Sequence, residues 1–258
     1  NVASTAVEAL GALGTEAAMA RLQEALGEAA LRSAALRAYS ELSAPSPPDE
    51  ATQAVLLTTL KQVSGNAGQS VDDDAAVAAV QIARMLVATH PDEALKALTR
   101  LDAGEFSQAT KELVAGTRLL FTIDQLPNLA KGATATSPDD LDTEGGSNGD
   151  QAAIDGNLET YWDEVDGQSL YRLCVELPEA TDVSAVSVTG WGHHNFSPRD
   201  FKIACDDKVV KTVTNATYAN NRLIVLFPRT QCNRVELQIT RYYGGSPGIR
   251  ELGIFDVP

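Results

Sequence analysis

The spacing of apolar positions changes once along the chain, near Leu126–Asn128. Upstream, Ala and Leu dominate, and Val7, Leu10 and Leu13, then Met19, Leu22 and Leu26, then Leu31, Leu36, Tyr39 and Leu42 recur every three to five residues. That period places them on one face of an amphipathic helix. Ser46-Pro47-Pro48-Asp49, the run from Ser64 to Ser70 and His90-Pro91-Asp92-Glu93 interrupt the pattern with loop and helix-start chemistry. The expected helices are therefore 3–13, 15–26, 28–43, 49–63, 72–89, 91–101 and 105–120. Downstream the period falls to two. β-Branched and aromatic residues gather in short runs at 171–177, 183–189, 201–204, 222–227 and 234–239, separated by turns. In the first of these Leu173 and Val175 alternate with Arg172, Cys174 and Glu176, as a sheet with one buried face requires.

Two domains follow from this change, 1–126 helical and 127–258 an antiparallel β-sandwich, because Pro127 cannot continue a helix interior. Within the first, Val7 to Leu13 and Leu36 to Leu42 superpose at an offset of about 30 residues, the kind of internal period that marks an α-solenoid. This half resembles HEAT repeats. An irregular helical bundle accounts for the same helices.

Composition narrows the function classes. The 258 residues carry a net charge of -15, divided almost evenly: 9 basic and 16 acidic residues over 1–127, 11 and 19 over 128–258. No run of Lys or Arg offsets that field, so nucleic acid and anionic bilayers are poor partners. No stretch approaches the roughly 18 apolar residues of a membrane span. The chain starts at Asn1 with no basic-then-apolar leader, which suggests a processed product or a piece of a longer protein. Cys174, Cys205 and Cys232 lack metal-ligand spacing and lie in strand-like sequence; buried free thiols are expected, with one disulfide open as the alternative. Asp72-Asp73-Asp74 reads as a helix N-terminus and not as a metal site. Nucleophile-elbow, phosphate-loop, zincin and Cys-x-x-Cys patterns are missing, which argues against an enzyme, and the Asp163-Glu164 pair is expected to face solvent.

The most informative stretch is Ala153 to Trp162, in which Asp155-Gly156-Asn157 makes a sharp turn and Thr160 and Trp162 follow. Asp155 and Thr160, with backbone carbonyls, could converge on a hard cation such as calcium; a metal-free Asx turn uses the same residues. Together with Asn128 to Ser137 and Gly248 to Phe255, this stretch resembles the discoidin family, the coagulation factor 5/8 type C domain, and within it carbohydrate-binding module family 32. The resemblance covers roughly 128–258 and implies a galactose-binding-like jelly roll.

It also implies a structural calcium held by Asp155, Asn157, Thr160 and Glu251, with Trp162 as a core anchor. Two loops would then bound a sugar site: Gly190 to Arg199, offering Trp191, His193, His194, Asn195 and Arg199, and Arg241 to Gly248, offering Tyr242 and Tyr243. A pyranose needs planar hydrogen-bonding groups and an aromatic wall, and these loops hold both. Arg199 runs straight into the next strand, so pairing with a carboxylate is its other reading, and the two His could be ordinary exposed loop residues. The expected function is non-catalytic recognition of a glycan by an extracytoplasmic, bacterial protein. The alternative keeps both folds and gives the sandwich another protein or domain, or a lipid headgroup, as partner, or a purely structural role.

Overall fold

The computed structural model describes residues 6–7, 16–42, 48–65, 71–102, 104–138, 149–191 and 196–258, and it divides into two compact units, Asn1–Phe121 and Thr122–Pro258. In the first, six helices are described: α1 (Glu16–Gly27), α2 (Ala29–Leu42), α3 (Glu50–Val63), α4 (Asp73–Leu86), α5 (Pro91–Leu101) and α6 (Gln108–Thr122). The helix expected at 3–13 lies outside the described residues except for 6 and 7, which are helical. Asp49 and Asp72 act as N-caps, accepting hydrogen bonds from the Thr52 and Ala75 amides at 2.8 Å, so α3 and α4 each begin one residue later than the apolar pattern suggests. Val87 to Thr89, expected at the end of α4, form turns.

Asp73, next in the acidic run, accepts from the Ser107 amide and the Thr110 hydroxyl and so ties the start of α4 to the start of α6. Helices pack on their immediate and next-nearest neighbours, α1 with α2 and α3, α2 with α4, α3 with α4 and α5, and α4 with α5. Leu22, Leu26, Leu36, Leu56, Ile82, Leu86 and Leu98 are fully buried in their shared core. Among the described residues no helix is long and apolar enough to cross a membrane.

The second unit is an antiparallel β-sandwich built from β1 (Thr134–Thr136), β2 (Tyr171–Gly190), β3 (Pro198–Cys205), β4 (Lys208–Val213), β5 (Arg222–Tyr242) and β6 (Ile249–Phe255). Four of the short runs seen in the sequence are halves of two long strands: β2 joins 171–177 to 183–189, and β5 joins 222–227 to 234–239. Register breaks between Glu176 and Thr181 and between Val183 and Ala185 bend them. Opposite the second break, β5 holds Leu226 to Thr230 against Ala185 to Val183, and Pro228 sits in that bulge, where no ladder amide is needed. The first half of β2 pairs with β1, the second with β6, and both with β5. Leu173, Val175, Val186, Val188, Leu237 and Ile254 fill one core between the layers.

Cys174 is buried opposite Glu236 although its neighbours in the alternation, Arg172 and Glu176, are not, and this burial pushes its thiol up to about 12. All three cysteines are buried and free.

Candidate functional site

Three loops meet at one end of the sandwich: 155–170 before β2, the segment following β2 at Trp191, and 243–248 before β6. Backbone hydrogen bonds stitch them together. Trp162 and Ile249 exchange two, at 2.8 and 2.9 Å; the Trp191 amide donates to the Gly248 carbonyl at 3.2 Å; the Tyr243 amide donates to Ser197 at 3.0 Å; and the Gly248 amide donates to Phe196. Gly248 lets the loops approach closely, since a Cβ there would stand 3.1 Å from Trp191 Cβ and 3.4 Å from Phe196 Cβ.

Trp162 anchors this end from below. Its ring is fully buried, and its Nε1 hydrogen faces three acceptors, Ser137 Oγ at 3.0 Å and Asp150 Oδ1 and Glu164 Oε1 at 3.1 Å. Glu164 is only 2% exposed, a correction to the solvent-facing reading of Asp163-Glu164: a buried indole N–H needs an acceptor, and the carboxylate two residues on supplies it.

The turn ahead of it collects oxygen. Gly156 adopts φ +78, a conformation that suits glycine, and the chain folds back so that Asp155 Oδ1 accepts from the Asn157 amide at 2.8 Å. Thr160 Oγ1 then lies 3.0 and 2.8 Å from the two Asp155 carboxylate oxygens and 2.7 Å from the Asn157 carbonyl. One hydroxyl proton cannot serve three acceptors. From the opposite side Glu251 Oε2 accepts from the Gly156 amide at 3.0 Å. Burial raises the Glu251 carboxyl to about 7, the Gly156 amide opposing and the Asp155 charge adding to the rise.

Two carboxylates, a carbonyl and a hydroxyl thus crowd one turn, the hard-oxygen composition calcium takes. The Asn157 side chain turns elsewhere, its Oδ1 accepting from the Glu159 amide at 3.1 Å. Among the described residues no group of three or more His, Cys, Asp or Glu side chains could hold a metal, so an ion here would depend on neutral oxygens as well.

Beside this turn lies an aromatic cluster. Tyr161 meets Trp191 edge to face with ring centroids 3.7 Å apart, and the Arg250 guanidinium lies 4.9 Å from the Trp191 centroid. Arg250 Nε donates to the Trp191 carbonyl at 2.8 Å, and its Nη1 donates to the Leu158 carbonyl. Leu158 and Phe196 present apolar surface at this end, 55% and 39% exposed.

Of the expected ligand residues, Trp191 is in this cluster. Tyr242 and Tyr243, neighbours at the end of β5, point in opposite directions. Tyr242 turns its ring edge to face on the buried Tyr171, 5.4 Å between centroids, and donates to the Gln168 carbonyl at 3.3 Å. Tyr243 donates to the Ala216 carbonyl at 2.9 Å, with Arg199 5.6 Å from its ring; burial raises its phenol. Arg199, expected as a ligand residue with carboxylate pairing as its other reading, donates to Asn215 Oδ1 at 3.3 and 2.8 Å. His193, His194 and Asn195 lie outside the described residues.

Sequence reading missed Tyr161, Phe196, Leu158 and Arg250. For Tyr161 a signal existed: Trp162 is the core anchor of a strand bridge, so the residue before it must face away.

Residues 132–252 match the model of the F5/8 type C domain. Similar solved structures include the family 32 carbohydrate-binding module of Clostridium perfringens NanJ in complex with galactose, 24% identical, covering 51% of this chain and 98% of that one at a TM-score of 0.42. Another is chitosan-binding module 2, in complex with chitotriose, from a chitosanase/glucanase of Paenibacillus sp. IK-5, 18% identical, covering 50% and 100% at 0.44. A third is the C. perfringens module CpGH89CBM32-5 in complex with GalNAc-β-1,3-galactose, 18% identical, covering 50% and 100% at 0.43. No curated protein matches the chain significantly.

Proposed function

We propose, from the F5/8 type C domain that residues 132–252 form, that this chain is a non-catalytic binding protein whose sandwich recognises a carbohydrate at the loop end described above. The observation carrying this reading is the cluster of Tyr161, Trp191 and Phe196 beside the Arg250 guanidinium, stitched to the turn at Asp155. Half-exposed aromatic rings next to fixed polar groups suit a sugar, which offers one apolar C–H face and a rim of hydroxyls.

Calcium in the turn of Asp155, the Asn157 carbonyl, Thr160 and Glu251 is the second part of the proposal. It would neutralise two neighbouring carboxylates and supply the positive charge that three oxygens around one hydroxyl lack. Its role is structural. Millimolar calcium and surface glycans belong together outside the cytoplasm, and we propose an extracytoplasmic location. For the helical unit, packing of α1 on α2 and α3, and of α4 on α2, α3 and α5, supports a HEAT-like stack.

A glycan array with and without EGTA, followed by titration calorimetry of any hit against Trp191→Ala, tests the carbohydrate reading. The expected result is a narrow set of sugars, with the variant losing about 1–3 kcal/mol, the scale of burying an aromatic face. Silence on the array from a folded protein sinks it in favour of a protein partner. The calcium part is tested separately by thermal melts in calcium and in EGTA. Saturation at about 100 times Kd should stabilise wild type by about 2.7 kcal/mol and leave Asp155→Ala and Glu251→Ala unmoved.

A further inference from the structure

β6 contains an irregularity that the core residues make plain. Ile249, Leu252 and Ile254 all belong to the buried core, so the parity that alternation demands is broken between Ile249 and Leu252. The ladder shows why: Gly190 pairs with Ile249 and its neighbour Thr189 with Glu251, leaving Arg250 as the extra residue of a bulge. A bulge re-aims the side chain it carries.

Here it sends Arg250 to the loop end, where its guanidinium holds the carbonyls of Leu158 and Trp191 and lies over the Trp191 ring. The next residue, Glu251, reaches back to the same loop and takes the Gly156 amide. Adjacent residues of one strand therefore grip the 155–161 loop at two points two residues apart, and one of them also grips the aromatic segment.

We infer that Arg250 is a positioning residue that fixes Trp191 and links it to the Asp155 turn, so that an ion in the turn and the pose of the aromatic cluster bias one another. This rests on the cation and loop-end readings proposed above. Its physical content is reciprocity. If ordering of the turn by calcium draws the Leu158 carbonyl into place, Arg250 transmits that order to Trp191, and whatever docks on Trp191 must in return tighten calcium binding by the same factor.

The two tryptophans of the chain make the linkage visible, because Trp162 is sealed in the core and Trp191 is half-buried. In the full chain, addition of calcium to EGTA-treated protein should shift tryptophan emission, and Trp191→Phe should abolish the shift. Arg250→Gln should still bind calcium by calorimetry yet lose the shift, and Arg250→Lys, which keeps the charge and one donor, should recover part of it. A full shift in Arg250→Gln, or calcium bound by wild type with no change at Trp191, overturns the linkage.

Acrylamide quenching in EGTA reads the positioning without any ion. Freed from its clamp, Trp191 in Arg250→Gln should be quenched about twofold more readily than in wild type, with the Trp191→Phe signal subtracted and melts confirming that each variant folds. Equal quenching overturns the positioning role. Enhanced quenching in a protein that binds no calcium leaves Arg250 in place as the clamp, while removing the ion from both this linkage and the proposed function.

Discussion

Trp162 shows how a single residue ties the sequence to the site. Its burial was implied by the family resemblance that its turn motif carries, but the partners of its indole were not, because Ser137, Asp150 and Glu164 come together only when the chain folds. The local pattern reads Asp163-Glu164 as a solvated acidic pair; a buried donor next door reverses that for Glu164. The variants separate two contributions. Trp162→Ala removes the ring and the donor from a site with no exposure, and it should cost roughly 3–5 kcal/mol in urea unfolding followed by circular dichroism. Trp162→Phe keeps most of the apolar volume but withdraws the hydrogen bond to a buried carboxylate, and roughly 1–3 kcal/mol is expected. A Phe variant as stable as wild type would mean that the indole N–H contributes nothing net to the fold.

Elements were easier to read than their ends. Helix positions came through because the 3.6-residue period spans many turns, and caps such as Asp49 and Asp72 are local devices. Strands came through as fragments. Pro228 and the polar run that follows it resemble a loop, yet β5 continues through them because the bulge opposite Val183 to Ala185 tolerates a residue without an amide proton. The sequence pattern marks β3 at 201–204, but its hairpin partner β4 escaped notice, since Asp206-Asp207 lacks the glycine that usually marks such a turn, though both adopt positive φ, 45° and 69°.

The same geometry recurs where the chain enters β5. Asn220 and Asn221 have φ of 48° and 62°, and the amides of Ala219 and Arg222 exchange hydrogen bonds across them at 2.9 and 3.0 Å, a two-residue turn of the mirror-image type that suits a twisted hairpin. Asn220 is exposed, so its backbone conformation dominates the effect of replacing it. Asn220→Val should cost roughly 1–2 kcal/mol, the penalty of forcing a β-branched residue into the left-handed region. Asn220→Gly should stay within about 0.5 kcal/mol of wild type. Thermal melts of the pair check this, and equal losses would contradict a left-handed Asn220.

At the scale of the whole molecule, the change of period near Leu126–Asn128 announces two folds, but it cannot see which flanking residues the sandwich recruits. The second compact unit begins at Thr122. In the turn Ile123–Gln125, Asp124 accepts two hydrogen bonds from the guanidinium of Arg222, at 2.8 and 2.7 Å, across 98 positions of sequence, while Arg222 Nε donates to Ser187 at 2.7 Å. No local pattern carries a contact of that range. We propose that the sandwich folds alone, and that a fragment starting at 122 is more stable than one starting at 128, which lacks Asp124.

The exposed carboxylate limits this gain to about 1 kcal/mol, or roughly 2–8 °C in melting temperature for a unit of this size. Its pH dependence has a definite sign. The Arg222 hydrogen bonds hold the Asp124 carboxyl below its usual 3.8, with burial opposing, so the contribution is complete above that value and is lost as acid protonates the folded carboxylate. The pH-dependent part of the difference between the two fragments should therefore be largest at neutral pH and fade as the pH falls below 3.8, with Asp124→Asn in the longer fragment removing that pH dependence. A shorter fragment that melts with the same cooperativity and midpoint at neutral pH would place the start of the folding unit at Asn128 and leave Asp124 outside it.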